Sequence, residues 1–365
     1  MSEAIPLAPE PPPSAEDEGS PAAADPKQTR LLRELKHDRA ILGCRFAGDG
    51  RFVFAGAQDY LVHRWDLQSA AEETPKISLE GHASWVRAMA RFADGKRLAT
   101  GDYVGRVILW QDIDASPVAA RSWEAHRGSV RAVAVSPDGQ LLATAGNDHL
   151  VRVWSVDGGD LALELAGHAC HVYNVAFHPG GGALVSADLK GAVKHWEIPS
   201  GKLVRQLDAS PLWMYSEKYT VDVGGVRGIA FRGDGSQLAC TGATGEKGVA
   251  HSGNARVLLF DWASGNMLNA LQPEKDEIAT AWGVRFHPDG FVVGCGGSRT
   301  GGFVWYWQAE QPVAFHMFRF QQSGPGFDID LASDGQTFAV AHFDGAVRVY
   351  TMAPEAKAET PAGGS

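Results

Sequence analysis

No apolar run in this chain approaches the roughly 20 residues that a membrane-spanning helix needs. Cysteine is scarce too. Cys44, Cys170, Cys240 and Cys295 are the only thiols in 365 residues, with no CxxC and no cysteine–histidine set at zinc-finger spacing. Four such thiols do not make a disulfide framework, so reduced, mostly buried cysteines in a cytoplasmic compartment are expected. Positive charge is in deficit: 33 Lys and Arg face 43 Asp and Glu, for a net charge of −10. That field opposes general binding to nucleic acid or anionic membrane, and leaves room for a local basic patch. Catalytic signatures are missing as well. There is no GxSxG elbow, HExxH, Walker A loop or EF-hand loop, and the glycine-rich CGGSRTGG opens no helix pattern. The reading is non-enzymatic, with no catalytic residue, cofactor or metal assigned.

Glycine, by contrast, is plentiful at 43 residues, which favours many turns. Residues 1–26 are rich in Pro, Ala and acids, with no base before Lys27. Such a segment buries too little apolar area to offset its ordering entropy, so a disordered acidic tail is expected there. It has no basic region followed by an apolar one, so it does not read as a signal peptide. Residues 354–365 read as a second short tail.

Between the tails the chain repeats itself. VRAVAVS, LLATA and LVRVWSV alternate strictly and are separated by PDG and GND, which reads as three short strands and their turns. A fourth strand, LALELAGH, leads into the next unit. The same frame ends on Trp65, Trp110, Trp154 and Trp196, at spacings of 45, 44 and 42 residues, and continues at Phe260, Trp307 and Tyr350. Seven turn pairs recur in step: Asp49-Gly50, Asp94-Gly95, Asp138-Gly139, Gly181-Gly182, Asp234-Gly235, Asp289-Gly290 and Asp334-Gly335.

This period, with four strands per unit, resembles the WD40 family over residues 27–353. Gly81-His82, Gly167-His168 and Ala125-His126 stand at the family's GH position, and Trp65-Asp66 is a literal WD. The resemblance implies an all-β fold: a seven-bladed β-propeller of four-stranded antiparallel blades. It also implies a buried hydrogen-bond set that staples a blade, matched in full by His126, Thr144, Asp148 and Trp154. His82, Thr100 and Trp110 match it with Val104 at the Asp position; His168, Ser186 and Trp196 match it with Lys190 there. These histidines are therefore expected to be structural, and His168-Ala-Cys-His171 offers too few ligands for zinc. The last unit ends on VRVYTM without a fourth strand, while Gln28–His37 resembles one. The N-terminal segment is thus expected to complete the last blade and close the ring.

Two features point to function. Three enlargements fall on one face of the expected propeller: SPLWMYSEKYTVD (residues 210–222, with Trp213, Tyr215 and Tyr219, and no strand or helix period), Ala243–Asn254 and Gly296–Gly302. Second, one residue per unit, at the start of each innermost strand, should face the channel mouth: Leu42, Arg87, Arg131, Tyr173, Arg227, Trp282 and Phe327. The resemblance implies that this position lines a partner pocket. Guanidinium forks suit carboxylate or phosphate, and aromatic faces suit stacking. Alternatively, the arginines pair with acids such as Asp328. The expected function is an interaction scaffold for a protein or peptide partner, with an acidic or phosphorylated segment near Arg87, Arg131 and Arg227 and flanked by Trp213, Tyr215 and Trp282. It would act as a monomer or as a subunit of a hetero-complex. The alternative is an enzyme or small-ligand sensor with its site in the same channel.

Overall fold

A computed structural model describes residues 23–47, 50–69, 74–218, 220–245, 253–275, 278–298, 301–321 and 324–354. The expected tails lie almost wholly outside these residues, as do Tyr219 and the centre of the 243–254 insertion. Among the described residues there are thirty strands and two 3-10 turns. No helix among these described residues is long and apolar enough to cross a membrane.

The strands assemble as blades. Blade three is the plainest: Val130–Val135, Leu141–Gly146, Val151–Ser155 and Leu161–Leu165 pair antiparallel in chain order. Blades one, two and four repeat it from Ile41–Phe46, Val86–Arg91 and Val172–Phe177. Blade five starts at Gly228–Phe231, blade six at Ile278–Phe286 and blade seven at Gly326–Leu331. The first turn of every blade is tight because its glycine adopts positive φ: Gly50, Gly95, Gly139, Gly181, Gly235, Gly290 and Gly335 lie between 65° and 95°. In blade four that residue is Gly181, so the turn pair there is Gly180-Gly181. The preceding aspartates lock several of these turns, as where Asp138 Oδ1 accepts from Gln140 N at 3.0 Å.

Alternation buries one set of side chains against each neighbouring blade. Seven apolar clusters result, each bridging one adjacent pair of blades. The seventh joins Ile41, Val53 and Trp65 of blade one to Ala339, Val347 and Val349 of blade seven. The aromatics that end the third strands are all buried; Trp307 is wholly so and Tyr350 is 2% exposed.

Arg30–Lys36 lies antiparallel on Ala346–Thr351, with Leu31 opposite Tyr350 and Glu34 opposite Arg348. It is the fourth strand of blade seven, supplied from the other end of the chain. Arg348 Nη2 reaches Glu34 Oε1 at 2.7 Å and Asp344 Oδ2 at 2.8 Å, tying this strand at its centre.

Candidate functional site

Six of the seven inner strands share an irregularity. In blade two, Val86 pairs with Asp102 and Ala88 with Gly101, so Arg87 is skipped. Leu42, Arg131, Tyr173, Trp282 and Phe327 are skipped in the same way. Arg227 stands immediately before its inner strand and donates its backbone N–H to Thr241. A β-bulge leaves one residue outside the ladder and re-aims its side chain. Here it turns that side chain into the central channel. All seven residues line one funnel, together with Arg45, Asn174, Arg285 and Asp328.

The charges in this funnel are unequally matched. Asp328 accepts from Arg45 Nη1 and lies 3.9 Å from Arg285 Nη2, while Asp330 lies 3.3 Å from Arg285 Nε. The carboxylates are therefore engaged by the deeper pair of arginines. Arg87, Arg131 and Arg227 rest on aromatic rings instead. Arg131 lies 5.0 Å from the Tyr103 centroid and 4.8 Å from Tyr173; Arg227 lies 4.9 Å from Tyr173 and 5.1 Å from Trp282. Arg87 sits 5.8 Å from Trp282. Among the described residues none of these three forms an ion pair. Arg131 Nε donates to Asn147 Oδ1 at 2.7 Å, whereas the buried Arg227 Nε has no hydrogen-bond partner among the described residues. Burial first, then repulsion from Arg87 and Arg131, holds the Arg227 guanidinium below the usual arginine range, against the influence of Tyr173. Cations gathered in a partly dry funnel favour an anionic occupant.

The stretch 210–222 is more regular than its sequence suggests. After a 3-10 turn over Ser210–Leu212, Trp213–Ser216 and Val221–Gly224 form an antiparallel hairpin that ends three residues before Arg227. Trp213 does not line the funnel. Its Nε1 donates to Asp222 Oδ1 at 2.9 Å, and Lys190 Nζ lies 5.3 Å from its ring. Tyr215 is 51% exposed on the hairpin. The other two enlargements are lengthened strand pairs, Gln237–Thr244 with Gly253–Asp261 and Val292–Ser298 with Gly301–Trp307. The first reaches blade six, where Asn254 pairs with Ile278.

Further aromatics ring the same mouth and escaped the sequence reading. Trp85 is exposed beside Tyr103 at 5.7 Å, and Phe343 is exposed beside Phe327 at 5.7 Å. Trp85 stands two residues before a bulge position, and Phe343 lies in the turn after a second strand. That placement is the signal that could have found them.

The staples behind the mouth are more complete than expected. In blade three, His126 meets Asp148 and Thr144, each at 2.8 Å, and Trp154 Nε1 donates to Thr144 at 3.0 Å. Blades two and four lack an acid at the aligned positions Val104 and Lys190, yet their sets are whole. His82 Nδ1 lies 3.1 Å from Asp102, and His168 Nδ1 lies 2.8 Å from Asp188. The aspartate comes from two residues earlier, at the end of the second strand. In blade three that place is Gly146, where a Cβ would lie 2.4 Å from the His126 ring. The two aspartate positions thus exclude each other, and each of these three blades fills one.

The family model for the WD domain, G-beta repeat, matches residues 29–66, 73–111, 118–155 and 159–197. This is a WD40-repeat protein. Blades five to seven continue the same architecture beyond the matched repeats. The WD40 relatives include the guanine nucleotide-binding protein subunit beta of Dictyostelium discoideum, 31% identical over 22% of this chain and 23% of that protein. WD repeat and FYVE domain-containing protein 2 of Caenorhabditis briggsae is 26% identical over 27% of this chain and 23% of its own. A probable serine/threonine-protein kinase, PkwA of Thermomonospora curvata, is 38% identical over 18% of this chain but only 8% of its own length. The matches span less than a quarter of these relatives. WD40 propellers generally serve as protein-interaction scaffolds and are typically not enzymes.

Proposed function

We propose that this WD40 propeller is a non-enzymatic scaffold whose channel mouth receives an acidic or phosphorylated segment of a protein partner. The observation that carries the reading is the set of three mouth arginines. They are held on aromatic faces without ion-pair partners among the described residues, while the neighbouring acids are engaged by Arg45 and Arg285. A bidentate guanidinium–carboxylate or guanidinium–phosphate contact would satisfy the buried Arg227 Nε. Trp85, Tyr215 and Phe343 then supply exposed aromatic area around that anchor, with Arg, Tyr and Trp being the types that dominate interface hot spots. The net charge of −10 counts against nucleic acid as the partner and confines anion attraction to this funnel.

The test is a peptide selection on the immobilised protein, repeated with Arg87→Glu/Arg131→Glu/Arg227→Glu. Enrichment of Asp, Glu or phosphoresidues on the wild type alone supports the proposal. Identical peptides selected by both proteins overturn it. Affinity for a selected peptide is also expected to fall as salt rises, because part of it is electrostatic attraction.

A further inference from the structure

Blade one lacks the hydroxyl of its staple. The position of Thr100, Thr144 and Ser186, ten residues before the blade's Trp, is Ala55. In its place a second histidine enters. Asp59, in the turn before the third strand, is 3.0 Å from His37 Nε2 and 3.0 Å from His63 Nε2, both measured to the same Oδ2. The three donor atoms all lie within 4.8 Å of one another. Both imidazoles are nearly sealed from solvent, at 6% and 1% side-chain exposure.

Blade three shows what this geometry usually holds. There Asp148 is flanked by His126 and by Arg152, whose Nη1 lies at 2.8 Å. His63 stands where Arg152 does, two residues before the Trp. A guanidinium can only donate, whereas an imidazole offers a lone pair. Exchanging one for the other replaces a fixed cation beside the aspartate with a second potential metal ligand.

We propose that His37, Asp59 and His63 bind one zinc ion. Two imidazole nitrogens and a carboxylate oxygen are a three-ligand zinc set with the fourth position left to water. Bonds of about 2.0–2.1 Å place tetrahedral ligands roughly 3.3 Å apart, so the 3.0 Å pairs need to separate only slightly. The distal nitrogens are already partnered. His63 Nδ1 is 3.0 Å from Ser78 Oγ, and His37 Nδ1 is 3.2 Å from Asp38 Oδ1. Such outer contacts fix the tautomer that turns the Nε2 lone pair to the metal. One group opposes the site: Lys76 Nζ lies 3.2 Å from His37 Nδ1, and this exposed side chain has to swing away when zinc enters. The ion would join His37, the residue just after the ring-closing strand, to the turn and third strand of blade one. It would therefore pin the end of that strand to blade one.

Zinc titration of the tag-free full chain by calorimetry, with a competing chelator, tests this. One equivalent should bind, and His37→Ala and Asp59→Asn should each weaken it by more than about 100-fold, the upper range for losing even an outer-shell partner. His37 is the preferred target because it lies at the edge of the blade. A melt without zinc verifies that each variant is folded. Lys76→Met should tighten binding several-fold, and His149→Ala/His171→Ala should leave it unchanged. Cobalt(II) should give the intense visible bands of a tetrahedral centre in the wild type and not in His37→Ala. Absence of one-equivalent binding in the wild type overturns the proposal. So does undiminished zinc affinity in folded His37→Ala or Asp59→Asn; either result leaves the trio a hydrogen-bonded staple.

Discussion

Replacing Thr100 by valine conserves shape and removes one oxygen. That oxygen is the hub of the blade-two staple: Trp110 Nε1 donates to it at 2.8 Å, and His82 Nε2 lies 2.7 Å away. With Asp102 beside His82 Nδ1, the consistent relay runs from Trp110 N–H to Thr100, from Thr100 O–H to His82, and from His82 N–H to Asp102. Thr100 and Asp102 are wholly buried, so water cannot replace the lost group. Valine strands both an indole N–H and an imidazole nitrogen. At about 1–3 kcal/mol for each buried unsatisfied group, the cost is about 2–6 kcal/mol. Thr100→Ser keeps the oxygen and loses one methyl, for about 1 kcal/mol. Guanidinium unfolding at constant slope should separate the two variants by several-fold in destabilisation. A valine variant as stable as the serine variant would refute the staple as an energetic element.

Three further outcomes are expected. Deleting residues 1–26 should leave the melting transition intact, whereas deleting 1–37 removes the strand paired with Ala346–Thr351 and should unfold or aggregate the protein; an equally stable 38–365 chain would sink the seam argument. Burial alone would raise the carboxyls of Asp102, Asp148 and Asp188, but histidine and backbone N–H partners hold all three below their ordinary 3.8. A depressed carboxyl contributes stability that is present above 3.8 and is lost as pH falls below it, so the melting temperature should drop steeply from about pH 4 downward; a flat acid limb would contradict this. Burial pushes the thiols of Cys44, Cys240 and Cys295 upward, while Cys170 is half-buried and its thiol is raised too, again by burial first. Native protein should therefore expose at most one thiol to an aromatic disulfide reagent at pH 8, and all four after denaturation.

Much of the architecture was legible because it is written as a period. The terminal aromatics and the turn glycines recur in step, and both obey constraints that act within one unit: a ring buried against the next blade, and a turn that requires positive φ. The seven channel positions could be aligned for the same reason, although the bulge that turns them inward leaves no mark in residue type. The staple aspartates of blades two and four were missed because alignment by spacing fixed the acid at Val104 and Lys190. Space beside the histidine decides instead, as Gly146 and Asp102 show at equivalent positions. The hairpin at Trp213 was hidden by its apolar composition, since a short two-sided strand pair has no alternating face. The trio of His37, Asp59 and His63 lies within one repeat, with His37 at the place of His126, and was missed because Ala55 breaks the staple and His63 replaces the arginine found at Arg152.

The central claim is that the three mouth arginines receive an anionic segment. Its most direct measurement is the affinity of a selected acidic or phosphorylated peptide for the wild type and for folded Arg87→Glu/Arg131→Glu/Arg227→Glu, at low and physiological salt. The account predicts measurable, salt-sensitive binding to the wild type and its loss in the variant. Equal affinity for both proteins would contradict it.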